Sequence, residues 1–380
     1  MKRVAITPRS NWQSIIESQG LVYHSNDDGT PYWNEAAYYH FTAAEVDELE
    51  QATAELYSLC LQAVGHVIEN NRLSELCIPP AAHERLRWSW TQQEPALFGR
   101  FDLAYDGSGP PKMLEFNADT PTTIVEAAVT QWYWMQDLFP QADQFNSIWE
   151  GLVETWGALR GANQLRSDTV HFVTSPNDED WMTIRLLRDT AEEAGVQTAE
   201  VFMRDIGWDT AKRVFVDTEN AEMRSVFKLY PWEWLLKDPF GQYALDIYPD
   251  VQWIEPLWKF ALSSKGLLPV LWEMFPNHPN LVAAYAGSPR GMTEYVAKPV
   301  IGREGANVTL HTLARDITTQ GQYGNYPKVY QQRCRVPSFD GNYVVLGSWV
   351  VGGQPRGMGI RESAGPITQN LSGFAPHIFD

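Results

Sequence analysis

The amino-acid sequence predicts a mixed α/β protein, with both α+β and α/β regions and with helical elements in its N-terminal part. Two observations favour this fold class: a strand–helix–strand pattern over residues of about 165 to 230, and a series of short strands after residue 295. A chain of 380 residues is also too long for one compact core of ordinary size. We therefore expect two or three lobes.

The N-terminal part contains the clearest helix signal. Residues 42–70 begin with Thr42, a good N-cap residue, and continue with early acidic residues and apolar residues at helical spacing. Residues 1–40 show only loops and short elements. Further helices are predicted in three places, near 80–93, 121–140 and 147–161.

The strand–helix–strand pattern predicts a small α/β lobe. TVHFVTSP is an apolar strand that ends in a turn, a helix closed by Gly195 follows, and a second strand lies near VQTAEVFM. The segment SVFKLYPWEW is expected to end this unit. We therefore place the lobe at 165–235, between an N-terminal region (1–164) that includes a hairpin and a C-terminal region (236–380).

The C-terminal region is rich in predicted strands. A helical stretch near 256–276 carries Lys265, and a strand ending at Lys298 is followed by a glycine-bracketed turn and a second strand. Beyond residue 328 further strands are joined by turns. Gly352 and Gly353 occupy the position of a hairpin turn between two of them.

Charge and cysteine content limit the classes of function. With 29 Lys and Arg against 47 Asp and Glu, the formal net charge is −18, which argues against nucleic acid or an anionic membrane as a partner. Three scattered cysteines fit a reducing compartment. Because the N-terminus lacks the apolar centre of a signal peptide and no apolar run is long enough for a membrane helix, we expect a soluble, cytoplasmic protein. The sequence does not determine its oligomeric state.

The segment 100–123, RFDLAYDGSGPPKMLEFNADTPTT, is the richest in chemistry. FDLAY and KMLEF have strand character, and the turn formers between them predict a β-hairpin. Because side chains alternate along a strand, Glu115 and Asn117 point to one face, and a matching register would bring Asp102 opposite them. Two carboxylates and an amide make a hard oxygen site suited to Mg²⁺, which commonly takes further ligands from phosphates. The alternative is an ordinary hairpin with a solvated polar face.

A second motif, KPVIGREGAN, lies between two predicted strands. It lacks the GxxxxGK[ST] pattern of P-loop proteins. Gly302 and Gly305 instead favour a flexible lid whose backbone N–H groups approach phosphate oxygens. Lys298 would add a positive charge beside the lid, and Glu304 would add a carboxylate to the metal. A surface turn with an Arg–Glu pair is the alternative interpretation.

Three further cations are candidates for contacts with anions. Arg100 precedes Asp102 by two residues and therefore shares its sheet face. Arg361 follows an apolar strand, where its planar donor fork suits a carboxylate or a phosphate. Lys265 stands just before an apolar run, an unusual position for a charge, although most helical lysines are simply solvated.

Several motifs, taken in order, resemble one protein family. FDLAYDG with LEFNADTPT, FKLYPWEW, EPLWK, LLPVLWEMFPNHPNL, KPVIGREGAN, GSWV and GIRES occur in succession over nearly the whole chain. Together they resemble the synthetase domain of glutathionylspermidine synthase and the stand-alone acid–amine ligases related to it. The resemblance implies an ATP-grasp fold with a small pre-ATP-grasp-like lobe. It also implies that ATP activates a carboxylate as an acyl phosphate, which an amine then attacks.

The resemblance implies roles for individual residues as well. Asp102, Glu115 and Asn117 would bind Mg²⁺. Arg100 and Arg361 would be the catalytic cations, the first at the transferring phosphoryl group and the second near the acyl phosphate. The ATP contacts would come from Arg100, Phe101, Asp102, Lys265, Lys298, Gly302, Glu304, Gly305, Tyr330, Gln331, Gln332, Arg333, Ile367 and Thr368.

The sequence thus predicts an ATP-dependent, ADP-forming ligase that joins a small peptide or amino acid to an amine. An ATP-binding protein or an ATPase of the same fold without ligase activity is the alternative. Segments 120–123 and 177–180, where the family resemblance places a thiol peptide substrate, match only loosely, so the acid and the amine are left open. No general base is evident.

Overall fold

The structure is a computed structural model that describes residues 1–26, 29–368 and 372–380. Its α-helices, in chain order, are α1 (Trp12–Ser18), α2 (Ala43–Glu69), α3 (His83–Thr91), α4 (Gln131–Leu138), α5 (Ile148–Gly161), α6 (Asp178–Glu193), α7 (Trp232–Leu235), α8 (Gly241–Asp246), α9 (Lys259–Ser263) and α10 (Leu267–Met274). A π-helical turn, Glu126–Thr130, runs directly into α4.

The strands, in chain order, are β1 (Lys2–Ala5), β2 (Ala37–Phe41), β3 (Phe98–Ala104), β4 (Lys112–Asn117), β5 (Thr169–Thr174), β6 (Gln197–Phe202), β7 (Gly207–Asp209), β8 (Val214–Val216), β9 (Ser225–Leu229), β10 (Gln252–Ile254), β11 (Ala284–Ala286), β12 (Tyr295–Pro299), β13 (Thr309–His311), β14 (Asp316–Thr318), β15 (Lys328–Gln332), β16 (Ser338–Phe339), β17 (Asn342–Val351), β18 (Gln354–Ser363), β19 (Gly373–Ala375) and β20 (His377–Phe379).

Three larger sheets and two small ones organise the described residues. The largest has the order β19–β18–β17–β3–β4, with β16 paired to β17, and the second is the antiparallel sheet β11–β15–β12–β13–β14. The third is the parallel sheet β10–β9–β5–β6. The small sheets are β1–β2–β20 and β7–β8. The predicted mixed α/β class is confirmed.

Helix α2 shows how local sequence builds the N-terminal helical layer. The Thr42 hydroxyl accepts a hydrogen bond from the Glu45 N–H, and the Glu45 carboxylate accepts one from the Thr42 N–H, which together form a capping box. Val46, Leu56 and Val64 lie on its buried face, which packs against α10, β17 and β18. The predicted long amphipathic helix is confirmed. No helix within the described ranges combines the length and apolar character needed to cross a bilayer.

The predicted hairpin turn at Gly352 and Gly353 is also confirmed. It joins β17 to β18, which pair antiparallel along nearly their whole length. The two glycines have φ values of 57° and 80°, the positive pair that a tight two-residue hairpin requires. This long pair of strands places Arg361 next to the middle of the largest sheet.

Two predictions of secondary structure are wrong. Lys265 lies in a turn between α9 and α10 rather than inside one helix, because its N–H donates to the Val300 carbonyl and the neighbouring Ser264 hydroxyl donates to Leu76 O. The parallel sheet does not end with the segment at 225–234, because β10 pairs parallel with β9. The domain boundary at 235 stays a prediction.

Candidate functional site

A deep cleft lies where the three larger sheets meet. Its volume is about 950 Å³, which is within the range of small-molecule sites. One wall is formed by β3, β4, β17 and β18, and a second by β12, β13 and β15. The third comes from the segments that follow β5 and β9, at the carboxyl ends of parallel strands, where ligands of α/β sheets commonly bind.

The β3–β4 hairpin brings the predicted metal ligands together. In the antiparallel register Asp102 lies opposite Glu115, and Arg100 lies opposite Asn117. Because alternate residues share a sheet face, all four side chains line the cleft. The predicted hairpin and its register are confirmed, whereas the metal-binding role of these residues stays a prediction.

Asp102 is held between two arginines. Arg100 Nε donates to Asp102 Oδ1 at 2.9 Å, and Arg361 Nη2 donates to Asp102 Oδ2 at 2.6 Å. Arg361 reaches this position because β18 pairs with β17, which in turn pairs with β3. Gly347 of β17 leaves room for Arg100, since a Cβ atom there would lie 2.8 Å from Arg100 Cδ. The two predicted catalytic cations therefore converge on one carboxylate.

Arg100 also connects the hairpin to the turn that follows it. Its Nη1 donates to Thr122 O at 2.7 Å and to Thr123 Oγ1 at 3.0 Å. Thr123 has a φ of 70°, a left-handed conformation that is unfavourable for a β-branched residue and costs on the order of 1–3 kcal/mol. The contact with Arg100 offsets part of that cost and fixes the turn against the cleft.

Two lysines, Lys265 behind the cleft wall and Lys298 in its lining, neutralise Glu115. Lys265 Nζ lies 3.3 Å from Glu115 Oε2 and donates to Gly302 O at 2.7 Å. Lys298 Nζ donates to Leu114 O at 2.8 Å. Burial alone would raise the pKa of Glu115, but the charges of Lys265 and Lys298 outweigh it and lower the pKa to about 2. Glu115 is therefore a carboxylate at any pH at which the protein is handled.

The hairpin residues fit an oxygen-ligated cation. Asp102, Glu115 and Asn117 supply two carboxylates and an amide oxygen, the donor types that Mg²⁺ prefers. The Asn117 Nδ2 is buried and has no hydrogen-bond partner among the described residues, so none of their contacts at this atom holds the amide oxygen away from the carboxylates. In the part of the chain that the structure describes, no cluster of three or more His, Cys, Asp or Glu side chains could hold a metal ion. Glu304 is therefore not grouped with the hairpin carboxylates, and its role as a metal ligand stays a prediction without geometric support.

The predicted lid lies over the cleft against the C-terminal segment. Glu304 and Gly305 have positive φ values of 54° and 67°, and a Cβ atom on Gly305 would collide with Thr368 O. Gly305, Glu304, Ile367 and Thr368 all line the cleft. Gly302 is set back from the wall, where its carbonyl oxygen accepts the hydrogen bond from Lys265.

Arg303, which the sequence did not single out, fastens the lid to the rest of the cleft. Its Nε donates to Glu233 Oε1 at 3.0 Å, and its Nη2 donates to Thr120 Oγ1 at 2.5 Å. Its guanidinium also lies over the Trp234 ring, 5.7 Å from the centroid. The lid is thereby joined to α7 and to the turn after the hairpin.

The predicted ATP contacts divide into those that face the cleft and those that do not. Lys298, Gln331, Gln332 and Arg333 line it. Phe101 points to the opposite sheet face, where it stacks on Phe116 at 3.9 Å, and Tyr330 lies outside the cleft lining and packs against Tyr295. Because side chains alternate along a strand, the Phe101 side chain points away from the cleft, and only its backbone can contact a nucleotide there. Lys265 also lies behind the wall, beneath Glu115 and the lid.

Four acidic side chains line the cleft from the segment after β5 and from the lid; we call Asp178, Glu179, Asp180 and Glu304 the acidic wall. Asn177 caps α6, since its Oδ1 accepts from the Asp180 N–H at 2.9 Å. Burial is the main cause that raises the pKa of Asp180 to about 6, and the charge of Glu179 contributes to this rise. Burial and Glu179 also raise the pKa of Glu304. The family resemblance placed residues 177–180 near a substrate. Acidic residues are also common in the first turn of a helix, so the sequence alone did not identify them as part of a binding surface.

A buried ion pair that the sequence did not reveal holds the turn after the hairpin. Lys228 Nζ donates to Asp119 Oδ1 at 2.6 Å, and the Trp232 N–H donates to Asp119 Oδ2 at 2.9 Å. Both charged side chains are fully enclosed. The only available signal was the presence of these residues in the motifs LEFNADTPT and FKLYPWEW.

Comparison with known proteins identifies relatives over the whole chain. The family model described as "Glutathionylspermidine synthase preATP-grasp" matches residues 3–380. A protein of Haemophilus influenzae described as "Putative acid--amine ligase" is 37% identical over 394 residues, and the alignment covers 100% of each chain.

Two further relatives are longer proteins. The trypanothione synthetase of Crithidia fasciculata is 28% identical over 350 residues, and the alignment covers 84% of this chain and 53% of that protein. The bifunctional glutathionylspermidine synthetase/amidase of Escherichia coli K12 is 27% identical over 393 residues, with 96% of this chain and 61% of that protein covered. The chain therefore spans between about half and three fifths of the length of these two relatives.

Proposed function

The chain belongs to the glutathionylspermidine synthase family, and on that premise we propose that it is an ATP-grasp enzyme that joins a carboxylate to an amine with release of ADP and phosphate. The observation that carries the proposal is the convergence of Arg100, Arg361, Asp102 and Glu115 on one face of the largest sheet. Relatives described as synthetases and as an acid–amine ligase support the same class of reaction.

The hairpin end of the cleft suits phosphoryl transfer to a carboxylate. Formation of an acyl phosphate spreads negative charge over oxygens in line, so catalysis depends on positioned cations rather than on a nucleophilic side chain. Arg100 and Arg361 present guanidinium groups at this point, and Lys298 lies on the adjoining wall. A magnesium ion bound by Asp102, Glu115 and Asn117 would neutralise charge on the ATP phosphates.

The remaining ATP contacts follow from the same arrangement. The lid at 302–305 covers the cleft beside Lys298, and its positive-φ residues turn the backbone there. Gln331 and Gln332 at the end of β15, with Arg333 directly after it, form the surface on which we place the adenine. Ile367 and Thr368 would contact the nucleotide from the C-terminal segment.

The opposite end of the cleft suits a cationic amine. The acidic wall carries four carboxyl groups, and the positive charge that lowers the pKa of Asp180 and of Glu304 is that of Arg303 from the lid. A polyamine placed there would supply the missing positive charge. The substrates are therefore proposed to be a small peptide or amino acid, activated beside Arg100 and the Thr120–Thr123 turn, and an amine held by the acidic wall.

The direct experiment uses the purified chain with ATP, Mg²⁺, glutathione and spermidine, the pair contained in the name of the Escherichia coli relative. A panel of other small peptides and polyamines would follow. Mass spectrometry should detect one ADP and one phosphate for each amide formed, and none of the three without acid or amine. Release of ADP that needs neither substrate would identify an ATPase and overturn the proposal.

A further inference from the structure

A buried tyrosine–glutamate pair adjoins the cleft and has no part in the roles assigned so far. The Tyr32 hydroxyl donates to Glu126 Oε1 at 2.5 Å. Glu126 is only 2% exposed and Tyr32 5% exposed. Across the described residues, no Lys, Arg or His forms an ion pair with Glu126. A buried carboxyl without a cationic partner is costly, so its presence beside a cleft needs an explanation.

The position of the pair places it at the reacting end of the cleft. Tyr32 lines the cleft together with Thr123 and Arg361. Glu126 comes three residues after Thr123, whose hydroxyl accepts from Arg100, and it opens the π-helical turn Glu126–Thr130. Single π-helical turns are rare and occur frequently at functional sites.

Three ionisable groups act on the pair from neighbouring elements. Burial is the main cause that raises the pKa of Glu126 to about 7; Glu179 of α6 contributes to this rise, and Arg100 of β3 opposes it. Burial raises the pKa of Tyr32 well above its ordinary value; Glu126 and Glu179 add to this rise, and Arg361 of β18 lowers it. Near neutral pH the phenol is therefore protonated, while the carboxyl can gain or lose a proton.

The proposed ligase reaction requires such a group. An aliphatic amine arrives as an ammonium ion, and its nitrogen has no lone pair for attack until one proton has left. The lysines and arginines at the hairpin end already donate hydrogen bonds to Asp102, Gly302 O and Leu114 O, so they do not serve as the acceptor. This requirement rests on the proposed function, since only an amine-consuming reaction creates it.

We propose that Tyr32 and Glu126 form the proton acceptor for the amine substrate. The Tyr32 oxygen takes a proton from the ammonium nitrogen while its own proton moves to the Glu126 carboxylate. The nitrogen lone pair then forms the C–N bond to the acyl carbon, and the bond from that carbon to the phosphate oxygen breaks. The second nitrogen proton passes to the departing phosphate, which leaves as hydrogen phosphate. The products are a neutral amide, hydrogen phosphate and protonated Glu126.

Tyr32 is the group that meets the substrate, and Glu126 acts through it. Asp180 of the acidic wall is the competing acceptor, because its pKa is also raised, to about 6, and it lines the same cleft. The Asp180 carboxylate already accepts a hydrogen bond from Asn177 Nδ2 at 2.6 Å. Removal of each group in turn separates the two candidates.

The test compares wild type, Tyr32→Phe, Glu126→Gln and Asp180→Asn with ATP, Mg²⁺ and glutathione between pH 5.5 and 9.5. Each protein is assayed with spermidine and, separately, with hydroxylamine, which is largely unprotonated at neutral pH and needs no proton acceptor before attack. Difference infrared spectra of the carboxyl band between pH 5 and 9 report the titration of Glu126 without any substrate.

With spermidine, wild-type kcat should rise through about pH 7 and then level off. Glu126→Gln and Tyr32→Phe should lower kcat at pH 7 by about 100-fold. The deficit should shrink towards pH 9.5, because the amine then loses its proton to solvent. With hydroxylamine both variants should remain within about threefold of wild type. Asp180→Asn should raise KM for spermidine and keep the wild-type pH profile.

Equal losses with both nucleophiles at every pH would assign the pair a structural role and overturn the inference. Loss of the rise near pH 7 only in Asp180→Asn would transfer the role to Asp180 and overturn it as well. A carboxyl band that titrates near pH 7 in wild type and is absent from Glu126→Gln supports it. A wild-type protein that forms neither amide nor hydroxamate would overturn the proposed function itself. Normal ligation with an unchanged pH profile in Glu126→Gln would overturn only the inference about the proton acceptor.

Discussion

The two ends of the cleft use the same side-chain chemistry in opposite ways. At the hairpin end, Lys265 and Lys298 lower the pKa of Glu115 to about 2, and two arginines hold Asp102. At the acidic wall, burial raises the pKa of Asp180 to about 6. Burial opposes the charged form of both Glu115 and Asp180, so the neighbouring charges decide the difference. We propose the first end for phosphates and a metal, whereas the other gathers four carboxyl groups, two of which have Arg303 as a positively charged neighbour.

The largest effect is expected at the hairpin carboxylates. Asp102→Asn and Glu115→Gln should each lower turnover by about 1,000-fold or more and raise the Mg²⁺ concentration needed for half-maximal rate, because each removes a charged ligand from the proposed metal site. Steady-state kinetics over a Mg²⁺ titration measures both quantities. Asp106→Asn, in the exposed loop of the same hairpin, is the matched control. Full activity in both variants would show that the metal assignment is wrong.

The second effect concerns Arg361. Arg361→Lys keeps the positive charge but loses the planar fork that reaches Asp102, so we expect kcat to fall by about 100-fold with a smaller change in KM for ATP. Arg356→Lys on the same strand, where Arg356 pairs with an exposed glutamate, should retain activity. A change confined to KM would contradict a role for Arg361 in the transition state.

A smaller effect is expected at the acidic wall. Asp180→Asn should raise KM for spermidine by about tenfold, the equivalent of one charge interaction of about 1.4 kcal/mol, and should leave KM for ATP unchanged. Raising the salt concentration should reduce the difference between variant and wild type. Asp168→Asn, at an exposed position before β5, serves as the control. An equal rise in KM for ATP would remove the distinction between the two ends.

The smallest effect is one of stability. The pKa of Glu126 is about 7 in the folded chain and near 4.5 when exposed, so the folded state holds its proton to higher pH. This contribution to stability is present below pH 4.5 and is lost as pH rises through 7. At pH 8 the free energy of unfolding of Glu126→Gln, measured by urea denaturation, should therefore exceed that of wild type by on the order of 1–3 kcal/mol. The difference should be smaller at pH 5. An identical difference at both pH values would contradict the raised pKa.

Two features of the sequence predicted part of the site: the alternation of side chains along β-strands and the order of the motifs along the chain. The spacing of Glu115 and Asn117 was sufficient to place both on one face with Asp102, because strand geometry is local. The same alternation directs the Phe101 side chain out of the cleft, although the motif had included it among the ATP contacts.

The features that the sequence missed depend on partners far apart in the chain. Tyr32 lies 94 residues from Glu126, and Lys228 lies 109 residues from Asp119. In the N-terminal part, β2 pairs with β20, more than 330 positions later, so residues 1–40 gave no local signal for their sheet. The turn at Lys265 is likewise fixed by a hydrogen bond to Val300 in another element. Tertiary contacts override local preference at each of these places.

The central claim, that the hairpin end activates a carboxylate through an acyl phosphate, has one direct test. Glutathione labelled with oxygen-18 in its carboxylates is incubated with the chain, ATP, Mg²⁺ and spermidine, and the released phosphate is analysed by mass spectrometry. Because the carboxylate oxygen remains on phosphorus when the amine displaces it, one labelled oxygen should appear in each phosphate for every amide formed. Amide formation with unlabelled phosphate would contradict the acyl phosphate, and labelled phosphate would establish it.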